Sequence, residues 1–131
     1  MARACCLVAV APEDIHVLTA GLDATVAHAE TSVANLDIAV LNSLDPEVIV
    51  IDIDRLAVDP VEALRQLRFV LPDCIIVAYT AGMQPPVVRA CHNAGANALL
   101  SKSATPAQII TGLRSANLSG CFTDPRFIAH L

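Results

Sequence analysis

Two kinds of segment alternate along the chain. Short runs of consecutive apolar residues, many of them β-branched, are typical of strands that are covered on both faces of a sheet. Between these runs, apolar residues recur at the spacing that marks one face of a helix. The clearest run is Val48 to Ile51, which predicts a buried strand over residues 47–53. The pattern therefore predicts an α/β protein.

Five strands and five helices follow from this pattern. The strands are predicted over residues 3–10, 25–29, 47–53, 74–79 and 96–101. The helices are predicted to begin near residues 12, 32, 59, 85 and 105. Thr105 and Gln108 form a capping box at the last of these starts. The second helix should end at Asp45, because the residue before a proline is pushed out of the α region. Strict alternation predicts one parallel sheet with right-handed crossovers and helices on both faces.

The last residues fall outside this five-unit plan. Ser119 and Gly120 break the fifth helix, and Asp124 with Pro125 begins a further amphipathic turn or two. We therefore predict one domain over residues 1–118 and a linker or extra helix over residues 119–131.

Composition and charge exclude several classes of protein. With 131 residues, 55% of them apolar, the chain can form one compact domain with a sizeable core. No apolar stretch reaches the roughly 18 residues that cross a membrane, and we interpret the apolar N-terminus as a strand and not a signal peptide. A net charge of −5 with eight scattered basic residues makes the domain by itself a poor nucleic-acid binder.

The cysteines and histidines show no metal-binding pattern. The five cysteines include no C-x-x-C pair and have mostly apolar neighbours, which favours reduced, buried thiols in a cytoplasmic protein. The four histidines share no ligand spacing with them, so solvent-facing or packing roles are expected.

Polar residues stand at the ends of three predicted strands. Asp52 ends the third strand, Thr80 follows the fourth and Lys102 follows the fifth. Because the carboxyl ends of parallel strands share one edge, a carboxylate, a hydroxyl and an ammonium should converge there. This set suits transfer of a phosphoryl group to an aspartate, where the hydroxyl and ammonium bind phosphoryl oxygens and a divalent cation offsets the charge. Asp52 is therefore the candidate functional residue.

Residues 4 to about 116 resemble the receiver domain of bacterial two-component response regulators. Pro46-Glu-Val-Ile-Val-Ile-Asp52-Ile, followed by Asp59-Pro-Val-Glu-Ala-Leu64, is similar without a gap to the receiver pattern Pro-Asp-Val-Val-Leu-Leu-Asp-Ile and Asp-Gly-Leu-Glu-Ala-Leu. The resemblance implies a flavodoxin-like, three-layer, doubly wound fold with a five-stranded parallel sheet in the order 2-1-3-4-5. It also implies that Asp52 is the phospho-acceptor, Thr80 the switch hydroxyl and Lys102 the phosphate-contacting lysine.

The segment Thr-Asp-Pro-Arg-Phe at residues 123–127 is similar to the stretch after the receiver in LuxR/NarL-type transcription regulators. The resemblance implies a linker toward a DNA-binding helix-turn-helix domain that these residues do not contain, so DNA would be bound only through that domain. It also implies a homodimer through the face of the fourth helix, fifth strand and fifth helix, or through the face of the first and fifth helices.

The metal site departs from the receiver pattern. A working receiver has two adjacent acids after the first strand, which hold magnesium. The alignment that we prefer places Ala9 and Val10 there, and neither side chain can bind a metal. A second alignment brings Glu13 and Asp14 to these places, although first-turn acids are favoured by the helix dipole alone.

Other positions depart from the family pattern or have two interpretations. The proline that follows the lysine in the family is Ser103, and the aromatic switch position is Leu99. Asp52 could instead be a structural acid that is paired with Lys102, and Thr80 a plain strand-end residue. Asp54 could add a carboxylate to a metal site, although we favour a solvated loop acid.

Three functional hypotheses follow. The first is a non-enzymatic regulatory module, an atypical receiver that works without phosphorylation in a transcription regulator. The second is a conventional receiver, in which a sensor histidine kinase phosphorylates Asp52 and magnesium is bound by Asp52, Asp54 and Glu13 or Asp14. The third, a small-ligand-binding flavodoxin-like domain or enzyme, is disfavoured because the sequence has no glycine-rich phosphate loop and no base–nucleophile pair.

Overall fold

A computed structural model describes residues 4–22, 25–31, 36–82 and 84–131. Its strands are β1 (Ala4–Val8), β2 (Thr25–Ala29), β3 (Val48–Asp52), β4 (Ile75–Thr80), β5 (Ala98–Ser101) and β6 (Phe122–Thr123). Its helices are α1 (Pro12–Gly21), α2 (Ile38–Leu44), α3 (Pro60–Val70), α4 (Pro85–Ala94), α5 (Pro106–Ser119) and α6 (Pro125–Ile128). A short 3-10 turn, Ile53–Arg55, follows β3.

All the strands pair in parallel in one sheet, in the order β2-β1-β3-β4-β5-β6. The predicted order of the first five strands is confirmed, but the predicted count of five is wrong. The sixth strand pairs with β5 through Ala98 and Phe122 and through Leu99 and Thr123. A strand of two residues is too short to show an apolar period, which is why the hydrophobic pattern did not predict it.

Helices cover both faces of the sheet and make three layers. On one face, α1 and α5 bury Leu18 and Leu113. On the other face, α2, α3 and α4 bury Leu41, Leu64 and Cys91. The four apolar residues of β3 alternate between these two cores, and all five residues of the strand are buried.

The helix boundaries follow the local signals with one difference. Thr105 and Gln108 form the predicted capping box, and the Asp59 carboxylate accepts from the Val61 amide at 3.2 Å. The second helix ends at Asp45 as predicted, but Asp45 takes a left-handed φ of 46° and not an extended one. That helix begins at Ile38, and the predicted start at residue 32 lies outside the described residues, as does residue 3 of the first predicted strand.

Arg68, on α3, ties together the amino ends of two strands. Its guanidinium donates to the carbonyl of Cys74 at 2.7 Å and to that of Gly95 at 2.6 Å. It also donates to the side-chain oxygen of Asn97, which accepts from the Ile76 amide at 2.8 Å. One planar side chain thus joins the starts of β4 and β5 at the sheet edge opposite to the predicted site.

The C-terminal residues belong to the same sheet and core as the rest. Phe127 of α6 is buried in the core that contains Leu64. The predicted role of residues 119–131 as a linker toward a further domain stays a prediction. Among the described residues, none of the helices has both the length and the apolar character to cross a membrane.

Four of the five cysteine thiols are buried, as the sequence predicted. Cys5, Cys6, Cys74 and Cys91 are buried and free, whereas Cys121 is free and exposed. Burial raises the pKa of Cys74 to about 12, so this thiol stays protonated and unreactive at neutral pH.

Replacing Leu64 by alanine should test the packing of α3 on the sheet. Leu64 is fully buried, so Leu64→Ala should reduce the free energy of unfolding by about 2–5 kcal/mol. Phe69 lies on the same helix with 88% of its surface exposed, so Phe69→Ala should change it by about 0.5 kcal/mol or less. Urea denaturation of the two variants measures the difference, and equal losses would contradict this packing.

Candidate functional site

Asp52 ends the central strand β3 and is completely buried, with 0% of its side chain exposed. Its Oδ1 accepts a hydrogen bond from the Asp54 amide at 3.1 Å, in the 3-10 turn that follows. Its Oδ2 lies 2.8 Å from the ammonium nitrogen of Lys102. The predicted meeting of these two side chains at one sheet edge is therefore present, although β3 and β5 are separated by β4.

Lys102 follows β5 and reaches back across the end of β4. Its backbone amide donates to the Thr80 carbonyl at 2.9 Å, which fixes the start of the side chain at the sheet edge. Its Nζ lies 3.1 Å from Oδ2 of Asp54 as well as close to Asp52, and 5.6 Å from the centre of the Tyr79 ring. One cation is therefore paired with two carboxylates. We call Asp52, Asp54 and Lys102 the ionic cluster.

Thr80 ends β4 and contacts Asp54, not Asp52. Its Oγ1 donates to Asp54 Oδ1 at 2.7 Å and accepts from the Gly82 amide at 3.1 Å. The Ala81 amide donates to the other Asp54 oxygen at 2.9 Å. The predicted carboxylate, hydroxyl and ammonium do converge, but Asp54 is the group that joins them.

Asp54 is exposed, as the favoured interpretation of a solvated loop acid expects, but its carboxylate is also held by the protein. Its side chain keeps 36% of its surface exposed, yet both carboxylate oxygens are bound. The cause is the 3-10 turn, which directs the residue two places after Asp52 back over the sheet edge. That spacing was visible in the sequence, but the direction of the turn was not.

Burial and hydrogen bonding shift the pKa values of the two carboxyl groups in opposite directions. Burial raises the pKa of Asp52 above its usual 3.8, although Lys102 and the Asp54 amide act in the opposite direction. Burial also pushes the pKa of Asp54 upward, but hydrogen bonds from Ala81, Thr80 and Lys102 outweigh it and hold that pKa below 3.8. Burial lowers the pKa of Lys102, but the two carboxylates more than offset this and raise it above 10.5. Lys102 is therefore charged at neutral pH.

The residues after β1 do not supply metal ligands. Ala9 and Val10, which the preferred alignment places at the two acid positions, follow the strand directly and are fully buried. Within the part of the chain that the structure describes, no group of three or more His, Cys, Asp or Glu side chains could hold a metal ion. Magnesium keeps several waters and is bound through one or two carboxylates, so a metal-ligand role for Asp52 and Asp54 stays a prediction.

The two acids of α1 occupy different environments. Glu13 is exposed in the first helical turn, as expected for an acid at a helix N-terminus. Asp14 is half-buried and hydrogen-bonded with Tyr79 of β4. Burial raises the pKa of Tyr79 to about 12, and the charges of Asp14 and Asp52 add to the shift. Neither pattern nor spacing predicted this second polar pair, and a metal-ligand role for Glu13 or Asp14 stays a prediction.

Leu99 and Ser103, the other two departures from the receiver pattern, also have defined places. Leu99 on β5 is fully buried in the core beside α4. The amide of Ser103 donates to the Ser101 hydroxyl at 3.0 Å. A proline has no amide to donate, so this turn after Lys102 uses a hydrogen bond that the family residue could not make.

Solved receiver structures share this fold. The receiver domain of RcsB from Salmonella enterica serovar Typhimurium is 16% identical, with a TM-score of 0.78 over 100% of this chain and 99% of that chain. A LuxR-family response regulator from Aurantimonas sp. is 18% identical, with a TM-score of 0.80 over 99% and 95% of the two chains. A LuxR-family DNA-binding response regulator from Silicibacter pomeroyi is 20% identical, with a TM-score of 0.69 over 95% and 98%.

The sequence itself matches no protein-family model and no curated protein. The structural neighbours nevertheless confirm the predicted resemblance to receiver domains of LuxR/NarL-type regulators at the level of the fold.

The two carboxylates should respond oppositely to neutralisation. The lowered pKa of Asp54 means that its ionised form stabilises the folded state above about pH 3.8, and that this stability is lost as the pH falls through the lowered pKa. Asp54→Asn should therefore reduce the free energy of unfolding at neutral pH. The loss should be about 1 kcal/mol, because hydrogen bonds to a charged group contribute roughly 1.5–3 kcal/mol when buried and solvent screens this one.

The raised pKa of Asp52 has the reverse sign. The contribution of Asp52 to the free energy of unfolding is complete below pH 3.8 and is lost as the pH rises through the raised pKa, because the buried carboxylate must then ionise. Asp52→Asn should thus be no less stable than the wild type at neutral pH, with Lys102 keeping Asp54 as its partner. Urea denaturation of both variants at neutral and acidic pH measures this contrast. A loss for Asp52→Asn as large as that for Asp54→Asn would contradict it.

Proposed function

We propose that this chain is a regulatory module and not an enzyme: an atypical receiver that works without phosphorylation or a bound metal. The observation that carries the proposal is the burial of Asp52. Its side chain has 0% exposure and its Oδ2 faces the Lys102 ammonium. A phospho-acceptor must present a free carboxylate oxygen to the donor, in line with the bond that breaks.

The surroundings of Asp52 support the same proposal. A cavity of about 440 Å³ opens at this edge of the sheet, and it is lined by Asp54 and Thr80 but not by Asp52. Phosphoryl transfer to a carboxylate also requires cations to offset the charge of both reactants. Here Ala9 and Val10 follow β1, and Lys102 is already shared by two carboxylates. The alternative, a conventional receiver that a sensor histidine kinase phosphorylates on Asp52 with magnesium, is left as the contrary outcome of the test.

We further propose that the module controls dimerisation or output of a LuxR/NarL-type transcription regulator. Its own net charge of −5 opposes nucleic-acid binding, so DNA would be bound by a separate domain. The dimer face would be that of α1 and α5. Leu118 of α5 is 88% exposed there, next to Arg114 and Ala20 in one shallow cavity. The alternative face, of α4, β5 and α5, is partly covered by β6, which pairs along the edge of β5.

Intact-mass spectrometry tests the phosphorylation state. The chain is incubated with magnesium and a small phospho-donor such as acetyl phosphate, beside a receiver that carries the complete acidic pair. The mass of this chain should stay unchanged while the control gains a phosphoryl group, and Asp52→Asn should leave the oligomeric state unchanged. A phosphoryl adduct that is lost in Asp52→Asn would instead establish the conventional receiver.

A charge on the proposed dimer face should weaken self-association. A buried leucine contributes about 1.5–3 kcal/mol, so Leu118→Asp should raise the dimer dissociation constant roughly tenfold or more. Phe69 is equally exposed but lies on α3, on the other side of the sheet, so Phe69→Asp is the matched control and should have no effect. Analytical ultracentrifugation measures both. An unchanged dissociation constant in Leu118→Asp would contradict the use of this face.

A further inference from the structure

The C-terminal segment, which we define as residues 121–131, is docked along the free edge of β5. The Phe122 amide donates to the Asn97 carbonyl at 3.2 Å, and the Asp124 amide donates to the Leu99 carbonyl at 2.9 Å. The Asp124 carboxylate then caps α6 by accepting from the Arg126 amide at 2.9 Å. These bonds place Phe127, the buried residue of α6, over the carboxyl end of β4.

Phe127 packs against the backbone of the loop that follows β4. A Cβ atom built on Gly82 would lie 2.1 Å from Cε1 of the Phe127 ring, which is far inside van der Waals contact. Gly82 also has a φ of +68°, which residues with a side chain rarely adopt. The ring therefore occupies the space where any other residue at position 82 would place its side chain.

The same glycine is connected to the ionic cluster through hydrogen bonds of Thr80. Its amide donates to Thr80 Oγ1 at 3.1 Å, and that hydroxyl donates to Asp54 Oδ1 at 2.7 Å. Asp54 in turn pairs with Lys102 at 3.1 Å. A continuous series of contacts thus runs from the Phe127 ring through Gly82 and Thr80 to Asp54 of the ionic cluster.

We propose that α6 is the output element of this domain, and that its docking is energetically coupled to the ionic cluster through Gly82. When Thr80 holds Gly82 in its positive-φ turn, the loop presents a flat surface that the Phe127 ring covers. When that bond is lost, the turn relaxes and α6 loosens. Such coupling is reciprocal, so removal of Phe127 must loosen the bonds of the loop to Asp54 and Thr80 by the same factor. The role of α6 as an output element rests on the proposed regulatory function. It does not depend on whether Asp52 is phosphorylated.

Amide hydrogen exchange on the unmodified chain tests the coupling from the helix toward the cluster. Phe127→Ala should speed exchange of the Ala81 and Gly82 amides at least about fivefold, the lower end of typical coupling between sites. Ile128→Ala is the matched control, because Ile128 lies in the same helix with 59% of its surface exposed. It should leave both amides unchanged. Unchanged exchange in Phe127→Ala would overturn the proposal.

The reverse direction uses Thr80→Val, which keeps the β-branched shape and replaces the hydroxyl by a methyl group. It should speed exchange of the Phe122 and Asp124 amides, which hold the C-terminal segment on β5, by a similar factor of about fivefold or more. These two amides lie outside the loop that the substitution changes, so their response reports coupling and not local damage. Unaltered protection of both amides would also overturn the proposal.

A second pair of variants keeps the test decisive if Phe127→Ala fails to fold. Gly82→Ala and Gly120→Ala both place a Cβ on a backbone with positive φ, so the backbone penalty is shared. The new Cβ at position 120 meets no atom within 4 Å, whereas the one at position 82 collides with Phe127. Gly82→Ala should therefore speed exchange of the Asp124 amide more than Gly120→Ala does, and equal effects would contradict the coupling.

The results of these exchange experiments do not depend on whether the chain can be phosphorylated. None of these measurements uses a phospho-donor, a metal or a dimer. A chain that can be phosphorylated could still show the coupling, and a chain that cannot be phosphorylated could still lack it.

Discussion

The ammonium of Lys102 is the charge on which the arrangement at the sheet edge depends. Two carboxylates lie within 3.1 Å of it, and one of them is completely buried. Without a cation in this place the two acids would repel each other, and one of them would take up a proton. A buried ion pair seldom adds net stability, because desolvation costs about as much as the attraction returns. The raised pKa of Asp52 indicates the same imbalance. What the cluster contributes is geometry, since it fixes the ends of β3, β4 and β5 relative to one another.

Under the proposed function, this built-in cation changes what the site can sense. The occupancy of a metal site depends on the concentration of the metal ion. Lys102, in contrast, is part of the chain directly after β5 and is charged throughout the physiological range. The cluster would then respond to forces from the protein itself, such as a partner that binds α1 and α5 or a movement of α6. Its state would be set by contacts and not by the supply of a phospho-donor.

The fold and part of the site could be predicted because they follow from topology. Parallel strands place their carboxyl ends at one edge, so Asp52 and Lys102 met as expected although 50 positions separate them in the sequence. The role of Asp54 could not be predicted, because it depends on the direction of one 3-10 turn. The contact between Gly82 and Phe127 joins the loop after β4 to helix α6, and no local pattern marks it. Such long-range packing is visible only once the chain is folded.

The hydrogen bonds of Arg68 lie at the opposite edge of the sheet, where its guanidinium binds the carbonyls of Cys74 and Gly95. The interactions that anchor β4 and β5 are therefore separate from the polar groups at the carboxyl edge. Natural selection could exchange polar residues at the carboxyl edge while the hydrogen bonds of Arg68 stayed intact. A lineage that lost its ancestral chemistry would keep a foldable domain, which could then be recruited to a new signal.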